Sequence, residues 1–176
     1  MTTDESNYTP NNTGILLISH GSRHPLASET FNQIADMFRE KTEFKVNVGY
    51  MEIHKPNIPT AINELVEDTE IDTIIAVPVF LAHGIHTTRD IPKILGLNDS
   101  DDEKSDEHNH HHHNKKDKHN SHEIEENHSH GHHHHHDIEK SDFNGKIIYT
   151  EPLGADSLVI EIIKNRVDNA LKWNYH

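Results

Sequence analysis

The chain alternates short apolar runs with segments in which apolar residues recur at helical spacing. Four runs are predicted to be strands: residues 14–19, 45–52, 73–80 and 146–151. The first, GILLIS, is apolar throughout, which is typical of a strand buried on both faces of a parallel sheet. The second alternates more loosely and suits a strand nearer the edge of the sheet. In the third, Pro78 would remove a hydrogen bond between strands, so we expect an irregularity close to that strand's end.

Helical segments lie between these strands and after the last one. They are predicted over residues 26–40, from the turn at Pro56 and Pro59 to Val66, over residues 90–95, and from about residue 155 to 173. The last helix is expected to gather its apolar residues on one face, namely Leu158, Val159, Ile162, Ile163, Val167 and Leu171. Strands that alternate with helices of this length favour right-handed crossovers. The pattern therefore predicts a single-domain α/β fold with a parallel sheet of about four strands flanked by helices.

One long segment does not share this pattern. Residues 99–142 are almost wholly polar, contain 14 of the chain's 20 histidines, and have only Ile124 and Ile138 as β-branched residues. Apolar burial there cannot offset the conformational entropy lost on folding. We therefore predict a disordered tail over residues 1–13 and one domain over residues 14–176, interrupted by a disordered, acidic, histidine-rich insertion at 99–142. That insertion is either a solvated segment that binds metal weakly or a tether that raises the local metal concentration.

Composition excludes several classes of function. The formal net charge is −14 with histidine neutral, which disfavours nucleic acid because phosphate backbones select clustered Lys and Arg. The absence of cysteine removes disulfides, iron–sulfur clusters and thiolate zinc sites, so a metal would be held by imidazole, carboxylate or backbone oxygen. No apolar run approaches the ~20 residues that cross a bilayer, and residues 1–13 lack the features of a signal peptide. We expect a cytoplasmic protein with no membrane partner.

Two isolated histidines lie where a fold would position them. His20 and His86 each follow a predicted strand, and the carboxyl ends of parallel strands form the ligand crevice of an open α/β sheet. His20 begins the sequence HGSR, which brings an imidazole, a glycine, a hydroxyl and a guanidinium together. The alternatives are a histidine that caps the next helix or a loop that cradles a phosphate. One glycine is too few for the known phosphate-loop patterns, so the second alternative is weak.

The loop LAHGIHTTRD, residues 81–90, carries two imidazoles three residues apart, His83 and His86. Gly84 permits a tight backbone path, so His86 can turn back over the crevice a few residues before the predicted helix. Alternatively, Thr88 caps that helix and both histidines are solvated. The spacing alone favours neither interpretation.

Charged residues at the ends of the same strands complete a rim. Glu52, His54 and Lys55 end the second strand. Each by itself is typical of ordinary surface. Together, Arg23, Lys55 and Arg89 would supply positive charge for a substrate that bears carboxylates.

The chain resembles a known family at these same places. The matching stretches are GILLISHGSR, YMEIHKPNIPTAI, VPVFLAHGIHTTRDIPKILGL and EPLGAD, which extend from Gly14 to Asp156. They are similar to the small, single-domain class II chelatases, the group of sirohydrochlorin cobaltochelatase and sirohydrochlorin nickelochelatase. The resemblance implies a flavodoxin-like sheet, half the size of the larger chelatases. A histidine-rich insertion after Leu97 is also a feature of archaeal members of this group.

The resemblance implies a set of site residues. The family's two metal-binding histidines fall on His20 and His86, and His20 would also be the catalytic proton acceptor. The position of Lys55 would contact the tetrapyrrole substrate. His54 has no assigned counterpart. The other implied substrate contacts come from the second loop: Leu81, Ala82, His83, Gly84, Ile85 and His86.

The implied reaction is insertion of Co²⁺ and/or Ni²⁺ into sirohydrochlorin, with release of two protons. An imidazole, whose ordinary pKa is about 6.5, can bind the ion or accept a proton near neutral pH. It also suits both metals and releases them more readily than thiolate does. By resemblance we expect both activities, serving cobalamin or a methanogen nickel tetrapyrrole, with nickel as the added role. No cofactor beyond the substrate metal is expected, and the assembly would be a homodimer.

Two other functions are compatible with parts of the sequence. A nickel or cobalt storage protein or metallochaperone would use the histidine-rich insertion as its main binding region. A flavodoxin-like binder of nucleotides or flavin is disfavoured, because no phosphate loop rich in Thr and Gly follows the first strand.

Overall fold

The structure is a computed structural model, and it describes residues 8–97 and 140–173. Within these residues a single parallel sheet has the strand order β2-β1-β3-β4. Its strands are β1 (Thr13–Ser19), β2 (Lys45–Tyr50), β3 (Thr73–Pro78) and β4 (Lys146–Tyr149). The predicted fold class is therefore confirmed.

The position of β1 in the sheet explains its continuous apolar sequence. β1 pairs in parallel with strands on both sides, so that Leu16 lies between Asn47 of β2 and Ala76 of β3. Leu16 is fully buried, as is Ile18 two residues later. A strand in this place has protein on both faces and both edges, and apolar side chains are favoured on each face.

The helices cover the sheet unevenly. They are α1 (Pro25–Arg39), α2 (Ile58–Val66), α3 (Ile91–Ile94) and α4 (Ser157–Trp173), with a π-helical turn (His86–Asp90) directly before α3. On one face, α2 and α3 pack with alternate residues of β1 and β3 in a core that includes Ile62, Ile74 and Ile91. On the other face, α1 packs through Phe31 and Ala35 against β1 and β2.

Three strands end earlier than the hydrophobic pattern predicts. β2 was expected to reach Glu52 but ends at Tyr50, because the Tyr50 N–H donates to the carbonyl of Pro56 and the chain turns through Ile53 at φ 68°. β3 ends at Pro78 instead of residue 80, which fits the irregularity expected there, since proline has no N–H to continue the pairing. β4 ends at Tyr149, two residues before the predicted limit.

Helix boundaries also differ from the prediction. The third helical segment begins at His86, not at Asp90, because the π-helical turn extends it backwards. α1 starts at Pro25 and is capped by His24, whose Nδ1 accepts a hydrogen bond from the Leu26 N–H. α4 carries the predicted apolar residues, but no residue of α4 is buried in the isolated chain.

The predicted disordered segments lie largely outside the described residues. Residues 1–7 and 98–139 are not described, so the disorder expected of the tail and of the insertion stays a prediction. Two described portions of these segments contact the domain. Residues 9–12 form a turn before β1, and the Ser141 N–H donates to the carbonyl of Ile94 at the end of α3.

Candidate active site

The sheet brings the two isolated histidines together at its carboxyl edge. β1 and β3 are neighbours, and the segments that leave these two strands carry His20 and His86. The two imidazole centroids are 4.9 Å apart and the rings meet edge to face at 68°. The His86 side chain is 39% exposed, so the pair is open to solvent and to a ligand on one side.

The backbone after β1 fixes His20. Gly21 has φ +91°, and a Cβ there would overlap the carbonyl oxygen of Glu52. Because the Glu52 N–H donates to the His20 carbonyl at 3.0 Å, the loops after β1 and β2 are held in close contact. Glycine is required at residue 21 both for the left-handed conformation and for this close approach.

The π-helical turn fixes His86, its first residue. The hydroxyl of the buried Thr87 accepts from the Gly84 N–H at 2.9 Å, and the Thr88 hydroxyl donates to the Gly84 carbonyl. From β4, the Tyr149 hydroxyl donates to the Thr87 carbonyl at 2.9 Å. A π-helical turn leaves backbone groups out of the usual helical pairing and often occurs at functional sites. Here the Tyr149 hydroxyl from β4 satisfies one of these groups, the Thr87 carbonyl.

The pKa of Tyr149 is raised to about 12, mainly because the side chain is buried and secondarily because Glu151 is negatively charged. The Tyr149 phenol therefore stays protonated well above neutral pH. Its hydrogen bond to the π-helical turn persists over the whole physiological range.

Hydrogen bonds define which ring nitrogen of each histidine carries the proton. His20 Nδ1 lies 3.0 Å from the carbonyl oxygen of Gly21, which only accepts, so Nδ1 is the donor. His86 Nδ1 lies 2.8 Å from Oδ2 of Asp90 and donates to that carboxylate in the same way. In both neutral imidazoles the lone pair is then on Nε2, which is available to a metal ion or a proton.

Asp90 is the central residue of a short charged chain. It accepts from His86 through one carboxylate oxygen and from Arg89 Nε, at 2.9 Å, through the other. Partial burial by itself would raise the pKa of Asp90, but the hydrogen bonds from Arg89 and His86 lower it, as do the positive charge of Arg89 and that of His86 when His86 is protonated. The carboxylate is therefore ionised at neutral pH and holds the His86 ring in place.

The rest of the second loop is an exposed, mainly apolar surface beside the pair. Leu81 and Ile85 are more than 60% exposed, and Ala82, His83 and Gly84 are exposed as well. The loop is tied to the segment after β4, since the Gly154 N–H donates to the Leu81 carbonyl. An exposed apolar loop fixed at both ends is suited to contact a flat, largely apolar ligand.

His83 does not join the histidine pair. Its Nε2 lies 2.5 Å from Oε2 of Glu151, which follows β4, and both side chains are largely exposed. His83 is therefore paired with the carboxylate of Glu151 at the edge of the site.

Residues after β2 form the neighbouring part of the rim. Lys55 is exposed in the loop between β2 and α2. The ring of His54 packs at 5.3 Å from the ring of Tyr50, and its buried Nδ1 has no hydrogen-bond partner in the described structure. His54, to which the sequence assigned no role, therefore packs against Tyr50 in the structure.

Three residues of this site received no role from the sequence. Asp90 was recognisable in principle, because residues four apart on a helix face each other and the sequence from His86 to Asp90 is helical. Tyr149 and Glu151 were harder to find. Only the parallel pairing of β4 with β3 brings the end of β4 to the second loop.

The donor set around the pair is small. Within residues 8–97 and 140–173, no group of three or more His, Cys, Asp or Glu side chains is arranged to hold a metal ion. Within the described residues the candidate donor set is therefore the two imidazoles of His20 and His86, whose ring centroids are 4.9 Å apart. Such a pair can bind a divalent ion and leave coordination positions for another ligand.

Another concave surface of the described residues differs from the carboxyl edge of the sheet in the side chains that line it. A shallow hollow at the opposite, amino end of the sheet is lined by residues such as Pro10, Lys45 and Asp68, with no histidine. Ligands of open α/β sheets bind at the carboxyl edge, so the hollow is a poor candidate. No helix within the described ranges is long and apolar enough to cross a membrane.

Comparisons with known proteins show which family this chain is similar to. The pattern of the CbiX family matches residues 14–170. A Methanothermobacter thermautotrophicus protein named sirohydrochlorin cobaltochelatase is 48% identical over 158 residues, which cover 90% of this chain and 92% of the relative. A protein of the same name from Methanocaldococcus jannaschii is 43% identical over 153 residues, covering 86% of this chain and 95% of the relative.

A solved structure shares the fold. The crystal structure of a cobalamin (vitamin B12) biosynthesis CbiX protein from Marinobacter aquaeolei superposes with a TM-score of 0.60. It is 21% identical and covers 93% of this chain and 98% of that one, so this likeness speaks for the fold alone. With the family pattern matched over residues 14–170 and relatives above 40% identity along most of their length, the chain belongs to the CbiX family.

Proposed function

We propose that this chain inserts Co²⁺ into sirohydrochlorin and releases two protons. The observation that carries the proposal is the imidazole pair, His20 and His86, whose centroids are 4.9 Å apart and whose Nε2 atoms both carry the lone pair. The names of the methanogen relatives support the same substrate and metal.

The two imidazoles would act in sequence. Nε2 of His20 and of His86 bind the incoming ion and replace part of its water shell. The tetrapyrrole must lose two inner N–H protons as its nitrogens bind the metal. As the ion is taken up by the unprotonated nitrogens of the ring, Nε2 of His20 is released from it, and this atom can accept the protons of the two N–H groups one after the other and pass each to solvent. The metal and both protons are then accounted for, and the protein returns to its starting state.

Weak holding of the metal favours transfer. Two neutral imidazoles bind Co²⁺ but leave most of its coordination positions to water or substrate. A closed four-ligand site would retain the ion. The open pair is therefore matched to delivery rather than storage.

The loop beside the pair would hold the substrate. We propose that Leu81, Ala82, His83, Gly84 and Ile85 contact the ring. The exposed apolar side chains of Leu81 and Ile85 would pack on its face. Lys55, across the rim, would bind a carboxylate of its periphery.

We propose Ni²⁺ as a second metal for the same site. Imidazole binds both ions, and with no cysteine in the chain no thiolate is present to discriminate between them. The nickel product would serve a methanogen nickel tetrapyrrole and the cobalt product cobalamin. We also propose that the reaction takes place in the cytoplasm and needs no cofactor beyond the substrate metal.

Metal storage is the competing function, and the observation in its favour is the 14 histidines between residues 108 and 136. That region lies outside the described residues. Storage predicts many weakly bound ions that are lost with the tract, and no turnover. Insertion predicts turnover that persists without it.

The deciding experiment follows the visible spectrum of sirohydrochlorin mixed with the protein and with Co²⁺ or Ni²⁺ in turn. Residues 99–139 are removed first, so that the tract histidines do not obscure metal binding. His86→Ala should weaken metal binding and greatly slow insertion, because an open two-imidazole site has no spare ligand. His20→Ala should slow it at least as much, since general base catalysis alone contributes typically ~10²–10⁴-fold.

Two further variants act as controls. His83→Ala should have a smaller effect, because His83 pairs with Glu151 and not with the imidazole pair. His24→Asn removes an exposed imidazole but keeps a side chain able to cap α1, and it should insert metal at the unaltered rate. If His83→Ala were the slowest variant and His20→Ala matched the unaltered protein, the assignment of the metal ligands would be wrong.

A further inference from the structure

Arg89 has a different partner from the one that its place in the sequence suggests. The sequence grouped it with Arg23 and Lys55 as a cation for substrate carboxylates. In the structure its Nε donates to Oδ1 of Asp90 at 2.9 Å, while Oδ2 of Asp90 lies 2.8 Å from His86 Nδ1. A single carboxylate therefore separates the guanidinium from a proposed metal ligand.

The contact between Arg89 and Asp90 is not an ordinary ion pair on a helix surface. Adjacent residues of a helix point in different directions, so the Arg89 side chain bends back to reach Asp90. The positions three and four residues away, where a helical arginine meets its partners, hold no acidic residue: Ile85, His86, Pro92 and Lys93. Asp90 is thus the carboxylate that holds the charge of Arg89 beside the site.

Arg89 uses only one of its five N–H groups in this contact. Within residues 8–97 and 140–173 its two terminal nitrogens donate to no protein group, and the side chain is 71% exposed. An arginine that served only to hold a carboxylate in place would be expected to bond through two nitrogens, which is the stronger arrangement. The main contribution of Arg89 to the site is therefore its positive charge.

This charge acts on a metal at the imidazole pair in two ways. A guanidinium stays protonated at every physiological pH, so it repels a divalent cation permanently. It also offsets the negative charge of Asp90. A carboxylate that accepts from a ligating histidine makes the imidazole a stronger ligand, and a carboxylate already paired with a cation does so less. Both effects lower the affinity of the pair for the ion.

We propose that Arg89 keeps the His20–His86 pair a weak metal site, so that the ion passes to the tetrapyrrole instead of remaining on the protein. The benefit of weak binding rests on the proposed function. Asp90 orients the His86 ring, and Arg89 limits how strongly the oriented ring binds. Tighter binding of the ion before transfer, with no matching gain in the transition state, would slow insertion.

The affinity for Co²⁺ can be measured at this site in the full chain. A chelator buffer fixes the free Co²⁺ concentration, and paramagnetic broadening of the Gly21 and Gly84 amide signals in ¹⁵N-labelled protein reports occupancy of the crevice. The same titration of His86→Ala gives the broadening caused by ions bound elsewhere. Arg89→Gln removes the charge but keeps a donor for Asp90, and it should bind Co²⁺ about 3–10-fold more tightly at low salt. The difference should vanish in ~1 M salt, where the screening length falls to ~3 Å.

Two matched variants separate charge from other causes. Arg89→Lys keeps the positive charge and should restore the weak affinity. Lys41→Gln removes an exposed positive charge between the end of α1 and the start of β2, at the opposite edge of the sheet, and should leave the affinity unaltered. In insertion assays that follow the spectrum of sirohydrochlorin, Arg89→Gln should lower both the KM for Co²⁺ and kcat. A fall in both is expected when a destabilising influence on the bound ground state is removed.

Three results would overturn the inference. The first is equal or weaker Co²⁺ binding by Arg89→Gln, because Arg89 would then only support Asp90. The second is equally tight binding by Arg89→Lys, because geometry and not charge would then be responsible. The third is tighter binding with an unaltered kcat, because weak binding would then not assist transfer. The affinity is measured without substrate, so failure of the unaltered chain to insert metal would contradict the proposed function alone.

Discussion

At the scale of single residues, the site depends on groups that hold the two imidazoles and not only on the imidazoles. His86 is oriented by Asp90, and the close approach of two loops at Gly21 fixes His20. The charged chain Arg89–Asp90–His86 resembles the carboxylate–histidine arrangement that supports many metal ligands. Such supporting groups do not react, yet they decide where the lone pairs point.

Replacement of Asp90 tests this orienting role. Asp90→Ala removes the acceptor for His86 Nδ1–H, which frees the ring to rotate and change tautomer. The affinity for Co²⁺ should fall by about 10–100-fold, as is typical when a supporting hydrogen bond to a metal ligand is lost. Titration with Co²⁺ in the protein lacking residues 99–139 measures this. Asp36→Ala, which breaks a surface pair with Arg39 on α1, is the matched control, and equal affinities in both variants would contradict the role of Asp90.

Gly21→Ala tests the contact between the loops after β1 and β2. The new methyl group would meet the Glu52 carbonyl and also suffer strain at φ +91°, a conformation that costs a non-glycine residue about 1–3 kcal/mol. The control is Gly96→Ala, at φ +73° with no atom nearby, which suffers the strain alone. Urea unfolding should show a larger loss of stability for Gly21→Ala, and metal insertion should fall only in that variant. Equal losses of stability in the two variants would mean that the loops after β1 and β2 move apart to accommodate the methyl group without a loss of free energy.

At the scale of secondary-structure elements, the hydrophobic pattern predicted each strand but extended three of them too far. The pattern continues through residues such as Met51 and Phe80 because they are partly buried against the core even though the strands have ended. Burial and strand pairing are different constraints, and only the first is visible in an apolar run. The π-helical turn was not predictable in the same way, since its extra residue depends on the Thr87 contacts with Gly84 and Tyr149.

Tyr149→Phe tests the link between β4 and the π-helical turn. Loss of the hydroxyl leaves the Thr87 carbonyl without this donor, which costs about 1–3 kcal/mol when the group is buried. Urea unfolding at neutral pH should show this loss. Metal affinity should also fall, because His86 begins the turn. An unchanged free energy of unfolding would show that the turn is stable without β4.

The raised pKa of Tyr149 predicts that the stability of the fold depends on pH. The folded pKa of Tyr149, about 12, lies above its unfolded value of 10.0. The folded state therefore retains its proton while the unfolded state loses it, and stability falls as the pH rises from 10 towards 12. This stabilising contribution is fully present below pH 10. In Tyr149→Phe the fall over that pH window should be shallower, which unfolding curves at pH 9 to 12 would measure.

At the scale of the whole molecule, the chain combines a compact sheet domain with a long polar insertion. The insertion follows α3 and precedes β4 in sequence. Near its C-terminal end, the Ser141 N–H donates a hydrogen bond to the carbonyl of Ile94, which lies in α3 before the insertion begins. The described residues on both sides of the insertion therefore belong to the domain.

Deletion of residues 99–139, closed with a short Gly/Ser linker, should leave the domain folded. A segment without ordered structure, as the sequence predicts for these residues, contributes little to loop-closure cost, and the deletion keeps the Ser141 contact. The number of bound metal ions should collapse, while insertion at saturating metal should stay within a few fold of the unaltered protein. Circular dichroism, metal analysis and the sirohydrochlorin spectrum check the three points. A folded protein without turnover at saturating metal would make the tract part of the active site.

The sequence by itself determined the α/β class, the approximate elements and the two histidines at strand ends. These follow from local periodicity and from the rule that parallel strands present their carboxyl ends to a ligand. Only the tertiary structure decided that His20 and His86 face each other, because the order β2-β1-β3-β4 makes β1 and β3 neighbours. It also assigned Asp90, Tyr149 and Glu151 to the site. For α4, the sequence determined an apolar surface, but whether such a surface is covered depends on which face it meets, and that is a property of tertiary and quaternary packing.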